Sequence, residues 1–329
     1  MTAAYDVVAV GNAIVDVISP AEDAFLDAEG LPKGGMSLID QAQADTLYTR
    51  MAPGIETSGG SAANTVAGVA SFGGKAGYIG KVAADQLGEV FQHDIRAIGV
   101  DYTVAPLTGG LATARCLINV TPDGQRTMST FLGASNALTA DDLNAEMIRG
   151  ANVLYLEGYL FDPDEARKAF AKAATIARGA GRKISLTLSD GFVVDRHRAA
   201  LMAFIESDVD ILFANESEVK ALMQTTDFDV AAAGLRPHIE IAALTRSEKG
   251  SVIITKTGAE TVAAAAVDQV LDTTGAGDQY AAGFLFGYAR NRPLQVCGQL
   301  GSIAAAEVIS HYGPRPQTPF KELAAKAGL

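Results

Sequence analysis

The chain has 329 residues, enough to bury one large α/β core or two ordinary ones. It is 48% hydrophobic and 19% charged, the balance of a globular protein, and its net charge of −12 disfavours a nucleic-acid binder. Two cysteines, Cys116 and Cys297, lie far apart, which excludes a disulfide framework and a paired-cysteine metal site.

The N-terminus carries Asp6 and lacks the basic start of a signal peptide. No apolar run has the length of a membrane span, so the expected location is the cytoplasm. Tyr5 to Val10 is a short β-branched run that stops at Gly11, as a buried first strand does. Asn12 and Asp16 follow where that strand ends. Ligands of open α/β sheets bind outside the carboxyl ends of strands. An amide and a carboxylate there suit two neighbouring hydroxyls of a sugar, and equally suit plain turn chemistry.

Residues 30–40 read as a turn into a short strand, Met36 to Ile39. Ser58-Gly59-Gly60-Ser61-Ala62-Ala63-Asn64 is a Gly-rich loop feeding a helix of small residues over about 62–72. Asn64 is one turn into that helix and can face the same ligand as Gly60. Asp85 caps an amphipathic helix whose Leu87, Val90, Phe91, Ile95 and Ile98 share a face, with Gly99 as its stop. Residues 114–120 and 126–131 flank Thr121-Pro122-Asp123-Gly124-Gln125, a hairpin signal. Such a piece needs something to lie on. Residues 13–40 and 100–135 are therefore expected to form a small β lid over the main sheet. Arg126 on that hairpin is either an edge charge or, if the lid closes, a phosphate contact.

From residue 150 strand and helix alternate. Strands are expected at 153–156, 184–188, 209–213, 239–245, 252–255 and 261–267. Helices are expected at 163–179, with Asp162 as its cap, at 195–206, and after Asn215-Glu216-Ser217-Glu218. Two more are expected near 278–290 and 294–310. This alternation implies a mostly parallel sheet with helices on both faces. No linker or repeat interrupts it, so residues 1–329 read as a single α/β domain with a lid.

Asp272-Thr273-Thr274-Gly275-Ala276-Gly277-Asp278 then runs into an apolar, helix-compatible stretch. A glycine turn that opens a helix offers free N–H groups to an anion. Asp278 beside it is either a helix cap or a proton acceptor for a hydroxyl attacking a phosphoryl group. Asn215 and Glu218 fit a helix start, and Glu218 also fits Mg²⁺ held directly or through water. Thr245, at a strand end, and the turn to Gly250 make a nucleotide edge. His93 lies off its helix stripe, and His197, His238 and His311 have no metal spacing. Neither a GxxxxGK[ST] loop nor a GxGxxG after the first strand is present.

Taken together, Asp272 to Asp278, Ser58 to Gly80 and Asn215 to Glu218 resemble the C-terminal signature, N-terminal signature and Asn-x-x-Glu element of the PfkB/ribokinase family of sugar and nucleoside kinases. The resemblance runs along nearly the whole chain. It implies a ribokinase-like fold, ATP as phosphate donor and Mg²⁺. It implies an anion hole at Gly275, Ala276 and Gly277, and Asp278 as base. Asn12, Asp16, Gly60, Ser61 and Asn64 match the acceptor site. Asn215, Thr245, Gly250, Gly275 and Gly277 match the ATP site, and Glu218 matches the residue that organises Mg²⁺. Asp272 and Thr274 match positions that help hold a monovalent cation such as K⁺ in some members. Ser247 stands where many members carry Gly.

Gly11 to Asp16, Gln125 to Asn136 and Leu188 to Phe192 are more similar to adenosine kinases than to ribokinases or fructokinases. There the residue matching Arg126 touches phosphate. The aromatic that stacks on adenine in some of them is Leu160 here, between Tyr159 and Phe161. The implied activity is phosphorylation of the adenosine 5′-hydroxyl, giving AMP and ADP. The alternatives are a sugar kinase of the same fold or a kinase for another nucleoside. A nucleotide-binding protein with an idle turn fits less well with an intact Asp278 and both glycines. The expected partners are a nucleoside or sugar and ATP, with no nucleic acid or membrane, in a monomer or homodimer.

Overall fold

A computed structural model describes residues 3–329. Its strands in chain order are β1 (Tyr5–Val10), β2 (Ile14–Pro20), β3 (Met36–Leu38), β4 (Ile55–Gly59), β5 (Ala76–Ile79), β6 (Val100–Tyr102) and β7 (Ala114–Val120). They continue as β8 (Arg126–Phe131), β9 (Ala151–Glu157), β10 (Lys183–Thr187), β11 (Ile211–Asn215), β12 (Ile241–Thr245), β13 (Ser251–Thr255) and β14 (Gly258–Val262). The helices are α1 (Asp23–Glu29), α2 (Gln41–Arg50), α3 (Ser61–Ser71), α4 (Gln86–Ala97), α5 (Ala145–Arg149) and α6 (Asp164–Gly179). Then come α7 (Gly191–Asp208), α8 (Glu216–Met223), α9 (Phe228–Leu235), α10 (Ala276–Ala289), α11 (Leu294–Val308) and α12 (Phe320–Lys326).

Nine strands form one sheet in the order β14-β13-β12-β11-β10-β9-β1-β5-β6. It is parallel from β12 to β6, and β13 and β14 are antiparallel at one edge. The β-branched and aliphatic runs of β1, β9 and β10 are buried, as strands covered on both faces must be. The fold is α/β, with a mostly parallel sheet flanked by helices and a second, smaller sheet.

That second sheet runs β3-β8-β7-β2-β4. The predicted hairpin is its centre, with Arg115 opposite Phe131 and Val120 opposite Arg126. Its composition departs from the sequence reading at two places. Ile55–Gly59 joins it as β4, paired antiparallel to β2. Val100–Tyr102 instead extends the large sheet beside β5. Neither three- to five-residue strand has a long enough alternation to reveal which sheet it joins.

Other corrections are local. Asp162 does not cap α6; the cap position is Pro163, and Asp162 pairs with Arg196 and His197. The strand expected at 261–267 ends at Val262. The helix expected from 195 begins at Gly191, capped by Asp190, and is kinked at His197. Helices α1, α2, α5, α9 and α12 carry too little pattern to have been expected. No helix among the described residues is long and apolar enough to cross a membrane. Cys116 and Cys297 are both buried and unpaired, and the His93 side chain is exposed.

The small-residue helix α3 packs directly on α10. A Cβ at Gly68 would collide with Gln279 and Ala282. That close approach brings the two Gly-rich loops of the sequence to one place, although they lie at opposite ends of the chain.

Candidate active site

A cleft of about 640 Å³ opens between the carboxyl ends of the large sheet and the inner face of the small one. Asn12, Asp16, Gly60, Ser61, Asn64, Asn215, Glu218, Thr245 and residues 275–278 all line it. Two of the expected residues do not. Gly250 packs behind it, where a Cβ would collide with the Val262 carbonyl. Arg126 stands one row back, against Thr274 and Asp272.

Gly60 has φ of 96° and lies against the Asn12 carbonyl, so only glycine fits there. This turn starts α3 and sends Ser61 and Asn64 toward α10. Ser61 Oγ donates to Asp278 Oδ1 at 2.6 Å, and Asn64 Nδ2 donates to Asp278 Oδ2 at 3.0 Å. Each carboxylate oxygen keeps a lone pair. Burial pushes Asp278 up to about 6, while Ser61, Asn64 and the charge of Arg315 pull it down.

Gly275 has φ of 79° at the N-cap of α10. The amides of Gly275, Gly277 and Asp278 find no acceptor among the described residues, whereas Ala276 N donates to the Thr273 carbonyl at 3.2 Å, so the expected place of Ala276 in the anion hole falls to Asp278. These are the free donors of a helix start, on residues that line the cleft. Arg126 lies close by, with Nη1 donating to Thr274 Oγ1 at 3.4 Å and Nη2 2.9 Å from Asp272 Oδ2. The Nη2 proton is not directed at that oxygen, and both Nη2 and Nε are buried without a hydrogen-bond acceptor. The arginine therefore has donors to spare beside the free amides.

Asp16 is buried on β2, with its carboxylate against Gly59. Burial pushes it up to about 7, against the pull of Arg315 and Arg126. Asn12 Oδ1 and Asn64 Oδ1, both buried, have no donor. The three groups together offer acceptors to hydroxyls.

Glu157, at the end of β9, was missed in the sequence. It accepts from Asn12 Nδ2 at 2.8 Å and from the Ala62 amide at 2.8 Å, tying β1 to the start of α3. Burial raises it to about 7. A charged residue closing an otherwise apolar strand was the available signal. Arg315, in the loop after α11, was also missed, and nothing periodic marks it.

Asn215 and Glu218 form the capping box of α8. Asn215 Oδ1 accepts from the Glu218 amide at 2.9 Å, and the Glu218 oxygens accept from Asn215 N at 2.9 Å and Nδ2 at 2.7 Å. Each Glu218 oxygen has a second lone pair, and Glu218 lines the cleft, which fits a hydrated Mg²⁺. No cluster of three His, Cys, Asp or Glu able to hold a metal occurs among the described residues.

The monovalent-cation positions do not fit. Asp272 Oδ1 accepts from Thr274 N at 3.0 Å and Thr274 Oγ1 at 2.7 Å. Its Oδ2 accepts from Gly313 N at 2.9 Å and faces Arg126. Three lone-pair sites of the carboxylate are therefore used, and a guanidinium already stands at Oδ2, where it repels a second cation. Ser247 takes φ of 52°, the left-handed region that glycine enters without cost. Leu160 is buried in the core, and its neighbour Tyr159 lines the cleft instead.

The pfkB family carbohydrate kinase model matches residues 40–321. The chain is 50% identical to the adenosine kinase of Sinorhizobium meliloti, covering 98% of this chain and 99% of that one at a TM-score of 0.92. It is 49% identical to a probable sugar kinase of Rhizobium etli, covering 99% of both chains at a TM-score of 0.94. Adenosine kinase of Saccharomyces cerevisiae is 25% identical over 331 residues, 93% of this chain and 95% of that protein. Kinases of this family use ATP, generally with Mg²⁺, and transfer its phosphoryl group to a hydroxyl. The chain belongs to the pfkB family of carbohydrate kinases, and it is a phosphotransferase with an alcohol acceptor.

Proposed function

We propose that this kinase phosphorylates the 5′-hydroxyl of adenosine. The observation that carries the reading is the apolar wall of the cleft. Ile14, Met36, Leu38, Ile118, Met128 and Leu132 come from the small sheet and its margin, and Phe192 stands at the start of α7. Met36, Leu38 and Phe192 are 45%, 58% and 72% exposed. A free sugar gains nothing from these side chains, whereas a flat base covers them while its ribose reaches Asp16. The likeness to the Sinorhizobium meliloti adenosine kinase supports the same acceptor.

In this reading Asp278 accepts the proton of the 5′-hydroxyl as its oxygen bonds to the γ-phosphorus and the bond to ADP breaks. The free amides of Gly275, Gly277 and Asp278 and the guanidinium of Arg126 stabilise the charge on the transferring group. Asn215 and Thr245 border the ATP side, and Gly250 supports that edge from behind. Glu218 would hold Mg²⁺ through water, and the ion would neutralise phosphate charge. Asn12, Gly60, Ser61 and Asn64 shape the ribose pocket around Asp16. The domain is taken as one unit in which the small sheet closes as a lid and keeps water from the phosphoryl group.

Asp16 supplies the test. A carboxylate has two oxygens suited to the 2′- and 3′-hydroxyls of a ribose. A site with a buried acceptor penalises a substrate that lacks the donor. The deoxy analogue lacking the 2′-hydroxyl is expected to show a kcat/KM lower than that of adenosine by about 10-fold or more, the scale of one lost charged hydrogen bond. Asp16→Ala is expected to erase most of that difference while slowing both substrates. Equal handling of the two nucleosides by the unmutated enzyme would remove Asp16 from the acceptor site.

A further inference from the structure

Arg315 is a half-buried residue whose Nε and Nη1 are fully enclosed and lack an acceptor. Its Nη2 donates to Ser58 Oγ at 3.2 Å. That is its one hydrogen bond among the described residues, and no ion pair includes it there. A charge with two enclosed donors and no contact partner is costly, and carboxylates at longer range offset that cost.

The surroundings show where that balance lies. Ser58 sits on β4 opposite Val15, and the next residue, Gly59, lies against the Asp16 carboxylate. On the other side, Pro314 packs on Gly275, and its carbonyl accepts from Gln279 Nε2 at 2.8 Å. Gln279 directly follows Asp278. Arg315 is thus wedged between the loop that carries Asp16's neighbour and the turn that carries Asp278. It does not line the cleft itself.

We infer that Arg315 is a positioning residue: its guanidinium is the shared counter-charge for the Asp16 and Asp278 carboxylates, serving both without touching substrate. Its effect on chemistry rests on the role given above to Asp278. Four groups face the guanidinium: Asp16 from β2, Tyr78 from β5, Asp94 from α4 and Asp278 from α10. Burial pulls Arg315 down to about 10, so it remains charged at neutral pH. Asp16 also faces Arg126, Asp278 and Cys116. Asp278 also faces Ser61, Asn64, Tyr155, Tyr159, Glu157 and Glu218. Among these, only the two arginines are cations, and Arg315 is the one that acts on both carboxylates.

The sign follows. Both carboxylates must be ionised to work, one to take a proton and one to accept hydroxyl donors. Activity is therefore lost as pH falls through their titration, at about 6 for Asp278 and about 7 for Asp16. Removing the cation makes both carboxylates bind protons more tightly, so the acid limb moves to higher pH.

The experiment is the pH profile of kcat/KM for adenosine in Arg315→Gln and Arg315→Lys. Gln keeps a donor for Ser58 and loses the charge. Its acid limb is expected to move up by about 1 pH unit or more, as loss of a nearby opposite charge does. Lys is expected to restore the limb. A lower rate in Arg315→Gln with an unmoved limb overturns the inference and leaves Arg315 a packing residue. A ¹³C NMR titration of the aspartates in the unmutated protein, Arg315→Gln and Arg315→Lys reads the same point without turnover. In the unmutated protein Asp16 and Asp278 are expected to titrate at or below about 7, and both are expected to rise in Arg315→Gln and to return in Arg315→Lys. Values that do not move in Arg315→Gln, or a value above about 8 for either in the unmutated protein, the range of buried carboxyls lacking a counter-charge, also overturn it. If Asp278→Asn stays active, the proton-acceptor reading fails, while the NMR titration still decides the counter-charge.

Discussion

Asp278→Asn is expected to lower kcat by about 10²–10⁴-fold, the usual worth of a positioned general base. The substitution keeps the shape of the side chain. Ser61 Oγ can still donate to its oxygen, and the Asn64 amide can turn so that its own oxygen accepts. The α3–α10 contact therefore survives, and with it the free amides of the Gly275 turn. ATP affinity, read by calorimetric titration, is expected to stay within a few-fold of the unmutated enzyme. The loss thus falls on the chemical step. A variant keeping more than about a tenth of kcat contradicts the assignment, since even the low end of the general-base range is larger.

Arg126→Ala is expected to lower kcat by about 10²–10³-fold, the scale of removing one charge-stabilising donor from an active site. The KM for adenosine is expected to move only a few-fold, because the guanidinium stands behind the cleft, against Thr274 and Asp272 of the turn before α10. Stability falls as well. Arg126 and Asp272 form a buried pair joining β8 to the turn before α10, and breaking such pairs costs about 3–5 kcal/mol. The loss here belongs at or below the lower end of that range, because Asp272 keeps its bonds from Thr274 and Gly313. Steady-state kinetics and a thermal melt on the same preparation separate the two effects. An unchanged kcat with a lowered Tm makes Arg126 a latch between the sheets and nothing more.

Most of the large sheet was legible because its strands are long apolar runs alternating with capped helices. The two Gly-rich loops were legible for a different reason: glycine, small residues and a following helix constrain the backbone locally. Gly60 and Gly275 indeed take positive φ. The small sheet was only half legible. Its hairpin is a local object, but β4 pairs with β2 across a long stretch of chain, and nothing in Ile55–Gly59 says which sheet receives it. Arg126 and Gly250 show a similar limit. Both lie next to cleft residues in sequence or space, yet one stands a row back and the other packs against Val262. Glu157 and Arg315 were missed because their roles arise from tertiary neighbours. Glu157 ties together residues 145 and 95 positions away, and Arg315 reaches a serine 257 positions away. No periodicity encodes such contacts.

In the proposed reading the acceptor is a nucleoside whose base lies on the apolar wall formed by Met36, Leu38, Met128 and Phe192. The most direct measurement is ADP release with adenosine, free ribose and free fructose supplied separately at equal concentration with ATP and Mg²⁺. Adenosine is expected to be turned over fastest, because only it covers that wall while presenting a hydroxyl to Asp278. Faster turnover of ribose or fructose would contradict the account and make the chain a sugar kinase on the same scaffold.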